Sequence, residues 1–241
     1  MPTIEENRYW NDRHHWREEG HEWKNQAAFS NQNYETWLMS LVDTFISGNI
    51  DKDSNVLEIG AGHGRFTDFL FKAKRITLVD LNENCITFCK KRFRGQKNII
   101  YHVNDGKSLP FIKDHSIDFI WSYDSFVHME KDIIQGYLKE FSRVLKHGGK
   151  AIIHHAGRNN YALSFVFLKK FGWVGRVFYK LLSLGKLKGS DGWRSDVSKE
   201  MVRDLAKKQG LSVLGQVNSW GERNQFTTRL FNDYISKIVK Q

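Results

Sequence analysis

Val56-Leu57-Glu58-Ile59-Gly60-Ala61-Gly62-His63-Gly64-Arg65-Phe66 decides the fold. Apolar residues lead into glycines at every second position, and a helical pattern follows at Phe66, Phe69 and Leu70. In order, this reads as a buried strand, a tight turn and a helix N-terminus. Glycine lets backbone approach a ligand closely, and the first turn of a helix offers free N–H groups. A second apolar run, Ile76-Thr77-Leu78-Val79, ends at Asp80, twenty residues after Gly60. A carboxylate there can accept hydrogen bonds from ribose hydroxyls. The pattern predicts a site for a nucleoside-bearing cofactor.

Outward from this turn, strands and helices alternate. Strands are expected at 55–59, 75–80, 98–103, 117–121 and 150–155, and helices at 64–72, 82–93 and about 131–145. The last of these helices has the cleanest period, with Ile134, Tyr137, Leu138, Phe141, Val144 and Leu145 on one face. His147-Gly148-Gly149 stops it before the strand that ends at His154-His155. A helix over about 198–209, a strand over 211–217 and a last strand near 226–235, returning antiparallel at the edge, complete the chain. Such alternation argues for an α/β fold with a doubly wound, mostly parallel sheet.

Spacing then selects the nucleoside. A dinucleotide fold needs Gly-x-Gly-x-x-Gly, whereas the third residue after Gly62 is Arg65, which would crowd the helix–strand crossing. The pattern Glu58-x-Gly60-x-Gly62-x-Gly64 resembles the first motif of the class I S-adenosylmethionine (SAM)-dependent methyltransferases. The resemblance implies a seven-stranded Rossmann-like sheet. It also implies that Glu58 lies near the methionine end, that Gly60, Ala61, Gly62 and Arg65 line the cofactor, and that Asp80 and Leu81 hold the ribose. Asn104-Asp105-Gly106 matches the adenine-binding turn through Asp105 and Gly106, and Ser122 completes the cofactor set.

Composition fits one domain over 1–241. Its expected parts are an N-terminal helical cap (1–50), a cofactor-binding core (51–157), a basic helical insertion (158–195), and a C-terminal helix with a strand pair (196–241). Cys85 and Cys89 share an apolar helix face and read as reduced core residues. Without a secretory pattern or a membrane-length apolar run, a cytoplasmic protein is expected. The net charge of +10 is concentrated: between Phe141 and Ser190 there are ten Lys and Arg and no acidic residue. This stretch suits an anionic partner such as a phosphorylated substrate, a lipid headgroup or nucleic acid, or is simply a solvated face. The insertion within it is expected to be a lid, a peripheral contact with the inner face of a membrane, or a dimer contact. Oligomeric state is left open.

Ligands of open α/β sheets bind beyond the carboxyl ends of the strands, where Ser122-Tyr123-Asp124-Ser125-Phe126-Val127-His128 and His154-His155 arrive. A hydroxyl acceptor is a poor nucleophile and needs a base or a metal. Asp124 and His128 share a face if the stretch turns helically, so His128 is the expected base, oriented by Asp124. The bland alternative is a loop-bracing residue. His155 is a further catalytic candidate, and Tyr123, His154, Arg194 and Trp16 are candidates for binding the acceptor. Trp10, Trp16 and Trp23 could stack on a sugar or merely anchor the cap. Asp124 and His128 with His154 or His155 could instead hold a divalent metal.

The overall pattern resembles bacterial methyltransferases of surface saccharides and related small metabolites, through 104–110, Asp124-Ser125-x-x-His128, Ile153-His154-His155 and Trp193-Arg194. It implies an O-methyltransferase acting on a sugar or phosphorylated capsule or lipopolysaccharide precursor. The rivals are an RNA methyltransferase using the basic stretch, a non-catalytic SAM-binding subunit and, more distantly, a nicotinamide oxidoreductase. Against RNA stands the lack of an Asn-Pro-Pro-Tyr-like motif or a separate RNA-binding module.

Overall fold

Runs of β-branched and apolar residues become strands because each can bury both faces. The computed structural model describes residues 4–5, 33–158, 173–174, 177, 194–228 and 232–241. Five strands run parallel: β1 (Asn55–Ile59), β2 (Arg75–Asp80), β3 (Ile99–Val103), β4 (Ile117–Phe126) and β5 (Leu145–His155). β6 (Leu211–Val217) follows, and a short hairpin joins β7 (Ser219–Trp220) to β8 (Phe226–Thr227). β9 (Tyr234–Lys240) then inserts antiparallel between β5 and β6, giving the order β3-β2-β1-β4-β5-β9-β6.

Alternation along the strands divides the core into two layers. Val56, Leu78, Phe119 and Trp121 face one side, where α1 (Tyr34–Leu41) packs through Leu38 and Leu41. Leu57, Ile59, Val79 and Ile120 face the other. There α3 (Lys131–Val144) buries the apolar stripe read from the sequence, beside Val202, Leu205 and Ala206 of α4 (Lys199–Lys208). α2 (Glu83–Arg92) starts at Asn82, whose side chain accepts from the Asn84 amide, and ends in Lys90, Lys91 and Arg92, which suit its negative end. Cys85 and Cys89 are buried thiols outside any disulfide, and no described helix is long and apolar enough to cross a membrane.

Four expectations are corrected. The helix over 64–72 is replaced by turns and a 3₁₀ helix at Thr67–Leu70. Gly64 takes φ +84°, and the Phe93 ring fills the space a side chain would need, so no regular helix can start there. β4 continues to Phe126 instead of ending at 121, with an irregular register after Ser122 and Asp124 at φ +65°. Asp124 and His128 therefore do not lie on one helical face. β5 begins at Leu145 and absorbs His147-Gly148-Gly149 as an irregular start. The last strand is 234–240, not 226–235, and the reversed strand lies one place in from the edge. Most of the expected cap and of the insertion, including Trp10, Trp16, Trp23 and Trp193, lies outside the described residues.

Candidate active site

The glycine turn forms because β1 ends against β2 and β4. The Gly60 amide donates to the Val79 carbonyl at 2.8 Å, while the Ser122 hydroxyl donates to the Ile59 carbonyl at 2.7 Å. Gly60 sits at φ +70°, and a Cβ on it would fall 1.9 Å from Ser125 Oγ. Asp80, nearly fully buried, fastens the turn: Oδ2 accepts from the Gly62 amide at 2.9 Å and Oδ1 from the Asn82 amide at 2.8 Å. Burial raises its pKa against the pull of these amides. Each carboxylate oxygen keeps a further lone pair for a hydroxyl.

Glu58 lies beneath the turn, buried, with Oε2 accepting from the Thr67 hydroxyl at 2.7 Å. Burial pushes its pKa from 4.5 up to about 8. The folded state therefore holds the Glu58 proton more tightly than the unfolded chain does. The associated stability is complete below about pH 4.5 and is lost as pH rises through about 8. Denaturant unfolding of cofactor-free protein is expected to show this decline, and Glu58→Gln is expected to flatten it and be the more stable form above pH 8. An unchanged slope would show that Glu58 ionises freely in the fold.

At the end of β3, Asp105 accepts from the Lys107 and Ser108 amides and from the Ser108 hydroxyl at 2.7–2.9 Å. Burial is the largest single influence and raises its pKa, but these donors together outweigh it and leave a carboxylate more acidic than usual. Gly106 and Leu81 meet, a Cβ on Gly106 lying 3.2 Å from Leu81 Cδ1. A glycine cradle flanked by two strand-end carboxylates, Asp80 and Asp105, fits SAM. Ala61 is buried in the same turn, and Ser122 is spent on the Ile59 carbonyl.

The candidate acceptor side lies where β4 and β5 end. Asp124 Oδ2 is 3.9 Å from Arg65 Nη1, and Asp124 Oδ1 is 3.9 Å from Arg194 Nη2. Burial opposes its charge, but Arg194, Arg65, His154 and His128 together hold its pKa below the usual value. Arg65 thus reaches from the glycine turn toward the acceptor end. Arg194, 5% exposed, also donates from Nε to Asp233 Oδ2 at 2.9 Å. Burial disfavours its charge, yet Asp233 and Asp124 overcome this and raise its pKa. Burial pushes Asp233 up to about 7 despite Arg194.

The two histidines of β5 face opposite sides of the sheet. His155 is fully buried, with Nδ1 2.7 Å from the Ala156 carbonyl and Nε2 2.7 Å from Ser236 Oγ. Burial lowers its pKa to about 4, so it is neutral, donating through Nδ1 and accepting at Nε2. Both nitrogens are engaged, which removes it as a base. His154 Nδ1 accepts from the Asp124 amide at 3.2 Å, and its ring stacks on Tyr123 at 4.2 Å. Burial lowers its pKa to about 3, so the proton resides on Nε2, 3.6 Å from Asp233 Oδ2. His128, half-buried, follows β4 in a turn closed by its amide to the Ser125 carbonyl at 3.1 Å.

Asp233, Thr67 and Ser125 were missed by sequence reasoning. The expected strand near 226–235 places Asp233 in its interior. The signal that could have found it is Asn232-Asp233, a turn pair directly before the apolar alternation of β9. Trp16 lies outside the described residues. Among the described residues no three His, Cys, Asp or Glu are grouped to hold a metal, so the alternative set of Asp124, His128 and His154 or His155 is not assembled.

Comparison with known proteins agrees with this geometry. The family model "Methyltransferase domain" matches residues 56–149. Ribosomal RNA small subunit methyltransferase A of Coxiella burnetii is 33% identical over 61 residues, 25% of this chain and 24% of that one. Phosphoethanolamine N-methyltransferase 1 of Zea mays is 24% identical over 197 residues, 80% of this chain but 36% of that one. The matches therefore span about a quarter to a third of these relatives. An S-adenosylmethionine-dependent methyltransferase from Clostridium acetobutylicum superposes with a TM-score of 0.63 at 17% identity, covering 91% of this chain and 96% of that one. Residues 56–149 thus match a methyltransferase domain, the fold is that of the class I SAM-dependent methyltransferases, and the glycine turn fits SAM as the cofactor.

Proposed function

We propose that this chain is a SAM-dependent O-methyltransferase acting in the cytoplasm on a sugar or phosphorylated small metabolite, a precursor of capsule or lipopolysaccharide. The observation that carries the choice of acceptor is Asp124, held ionised beside the glycine turn with Arg65 and Arg194 each 3.9 Å away. The two guanidinium charges offset the Asp124 and Asp233 carboxylates, so no net negative charge is left to attract a protonated amine, whereas a neutral hydroxyl needs none. This favours oxygen over nitrogen as the methylated atom.

SAM supplies a methyl group on a sulfonium, and in-line displacement requires alignment more than covalent help. His128 takes the acceptor's proton in this reading, because both ring nitrogens of His155 are hydrogen-bonded and the accepting nitrogen of His154, Nδ1, is taken by the Asp124 amide. Asp124 stabilises the imidazolium that results. Arg65 ties the cofactor turn to this carboxylate, so both halves of the site share one charge network.

The RNA reading draws support from the Coxiella match and the basic stretch. Its phosphate-binding surface is diminished, however, at its start. Arg143 bonds Glu140 and Asp114, Lys146 bonds Asp118, and Lys150 bonds Asn49. Incubation with methyl-labelled SAM and an extract of surface-glycan precursors, with and without chelator, is expected to label saccharide equally in both. Label in RNA, with binding that falls steeply with salt, would replace this reading. Loss of label with chelator would restore the metal.

A further inference from the structure

Because β9 runs against β5, its start lies at the carboxyl edge, and this carries Asp233 to the ends of β4 and β5. The residue is held firmly. The Thr228 hydroxyl donates to the Asp233 carbonyl at 2.6 Å, and Asn232 Nδ2 donates to the Gly157 carbonyl at 2.7 Å. Arg194 Nε occupies Asp233 Oδ2, leaving Oδ1 without a donor among the described residues although Asp233 is 1% exposed. His154 Nε2 is buried and likewise has no partner among the described residues, since 3.6 Å to Asp233 Oδ2 is too long for a hydrogen bond.

A donor and an acceptor thus stand side by side, both removed from water and both unsatisfied. Leaving such groups unpaired is costly, and a ligand that satisfies them gains what the fold lacks. A hydroxyl does both, donating to the carboxylate and accepting from the imidazole N–H. We infer that Asp233 Oδ1 and His154 Nε2 form a recognition pair for a second hydroxyl of the acceptor, beside the one that is methylated. The ligand class is a polyol or sugar ring with neighbouring hydroxyls, which rests on and narrows the O-methyltransferase reading. Asp233 is then a substrate-binding residue, and Tyr123, stacked on His154, fixes the imidazole.

The test uses full-length protein saturated with S-adenosylhomocysteine and ¹⁵N-labelled at histidine. It is titrated with methyl hexopyranosides and with their singly deoxygenated analogues. Saturable shifts of His154 Nε2 are expected with at least one glycoside, with binding about tenfold or more weaker for the analogue lacking one ring hydroxyl. In Asp233→Asn the amide oxygen must stay on Arg194 Nε, so an N–H₂ replaces Oδ1, and affinity for the glycoside should fall by a similar factor. S-adenosylhomocysteine affinity should be unchanged. No glycoside shift at His154, or equal affinity for every deoxygenated analogue, would overturn the pair even if Asp233→Asn failed to fold. If saccharide is methylated with KM unchanged in Asp233→Asn, this pair fails and the proposed function stands. Glycoside binding with the predicted losses but no labelled saccharide leaves the pair standing and removes the function.

Discussion

Gly60→Ala is expected to abolish SAM binding and to lower the thermal midpoint of the protein. The substitution meets two separate costs. A left-handed φ of +70° costs an alanine about 1–2 kcal/mol, and the new Cβ would lie 1.9 Å from Ser125 Oγ and 2.7 Å from Ser125 Cβ. The second contact cannot be relieved by rotating the serine hydroxyl. Forcing it adds about 1–3 kcal/mol, because β4 must move away from the turn. The double variant Gly60→Ala, Ser125→Gly removes the collision and keeps the φ cost, so it should recover part of both stability and affinity. Calorimetry with SAM and S-adenosylhomocysteine, alongside thermal unfolding, separates the two. A Gly60→Ala protein that binds SAM normally would mean the cofactor lies elsewhere.

His128→Ala should reduce kcat by about 10²–10⁴ while SAM affinity stays within about threefold. The split follows from the layout. His128 belongs to the turn after β4, held by the Ser125 carbonyl, whereas the cofactor amides and carboxylates are supplied by the glycine turn, β2 and β3. Parallel loss of turnover and SAM affinity would make His128 a brace for the loop. Activity near the wild-type level would assign the base to another group.

Much of the cofactor half was legible because it is local. The glycine spacing, the β2 terminus at Asp80 and the turn at Asp105 each lie within a few residues of a strand end, where period and turn chemistry speak directly. The acceptor half depends on distant chain. Asp124 was expected on a helical face with His128, but β4 runs on to Phe126, its register with β5 breaks after Ser122, and Asp124 lies within that irregularity at φ +65°. Helix propensity after Gly64 lost to the Phe93 ring, a partner 29 positions later that no local pattern announces. Asp233 was hidden by a strand boundary: Phe226-Thr227 pairs with Ser219-Trp220, delaying the final strand until Tyr234.

The placement of β9 also governs how the molecule can be assembled. Among the described strands β6 pairs only with β9, and β9 comes after it in the chain. During synthesis the ladder edges of β5 and β6 therefore stay bare until those late residues leave the ribosome, a period in which they are open to unwanted pairing. The same late segment delivers Asp233, so closing the sheet and finishing the proposed acceptor pocket are a single event.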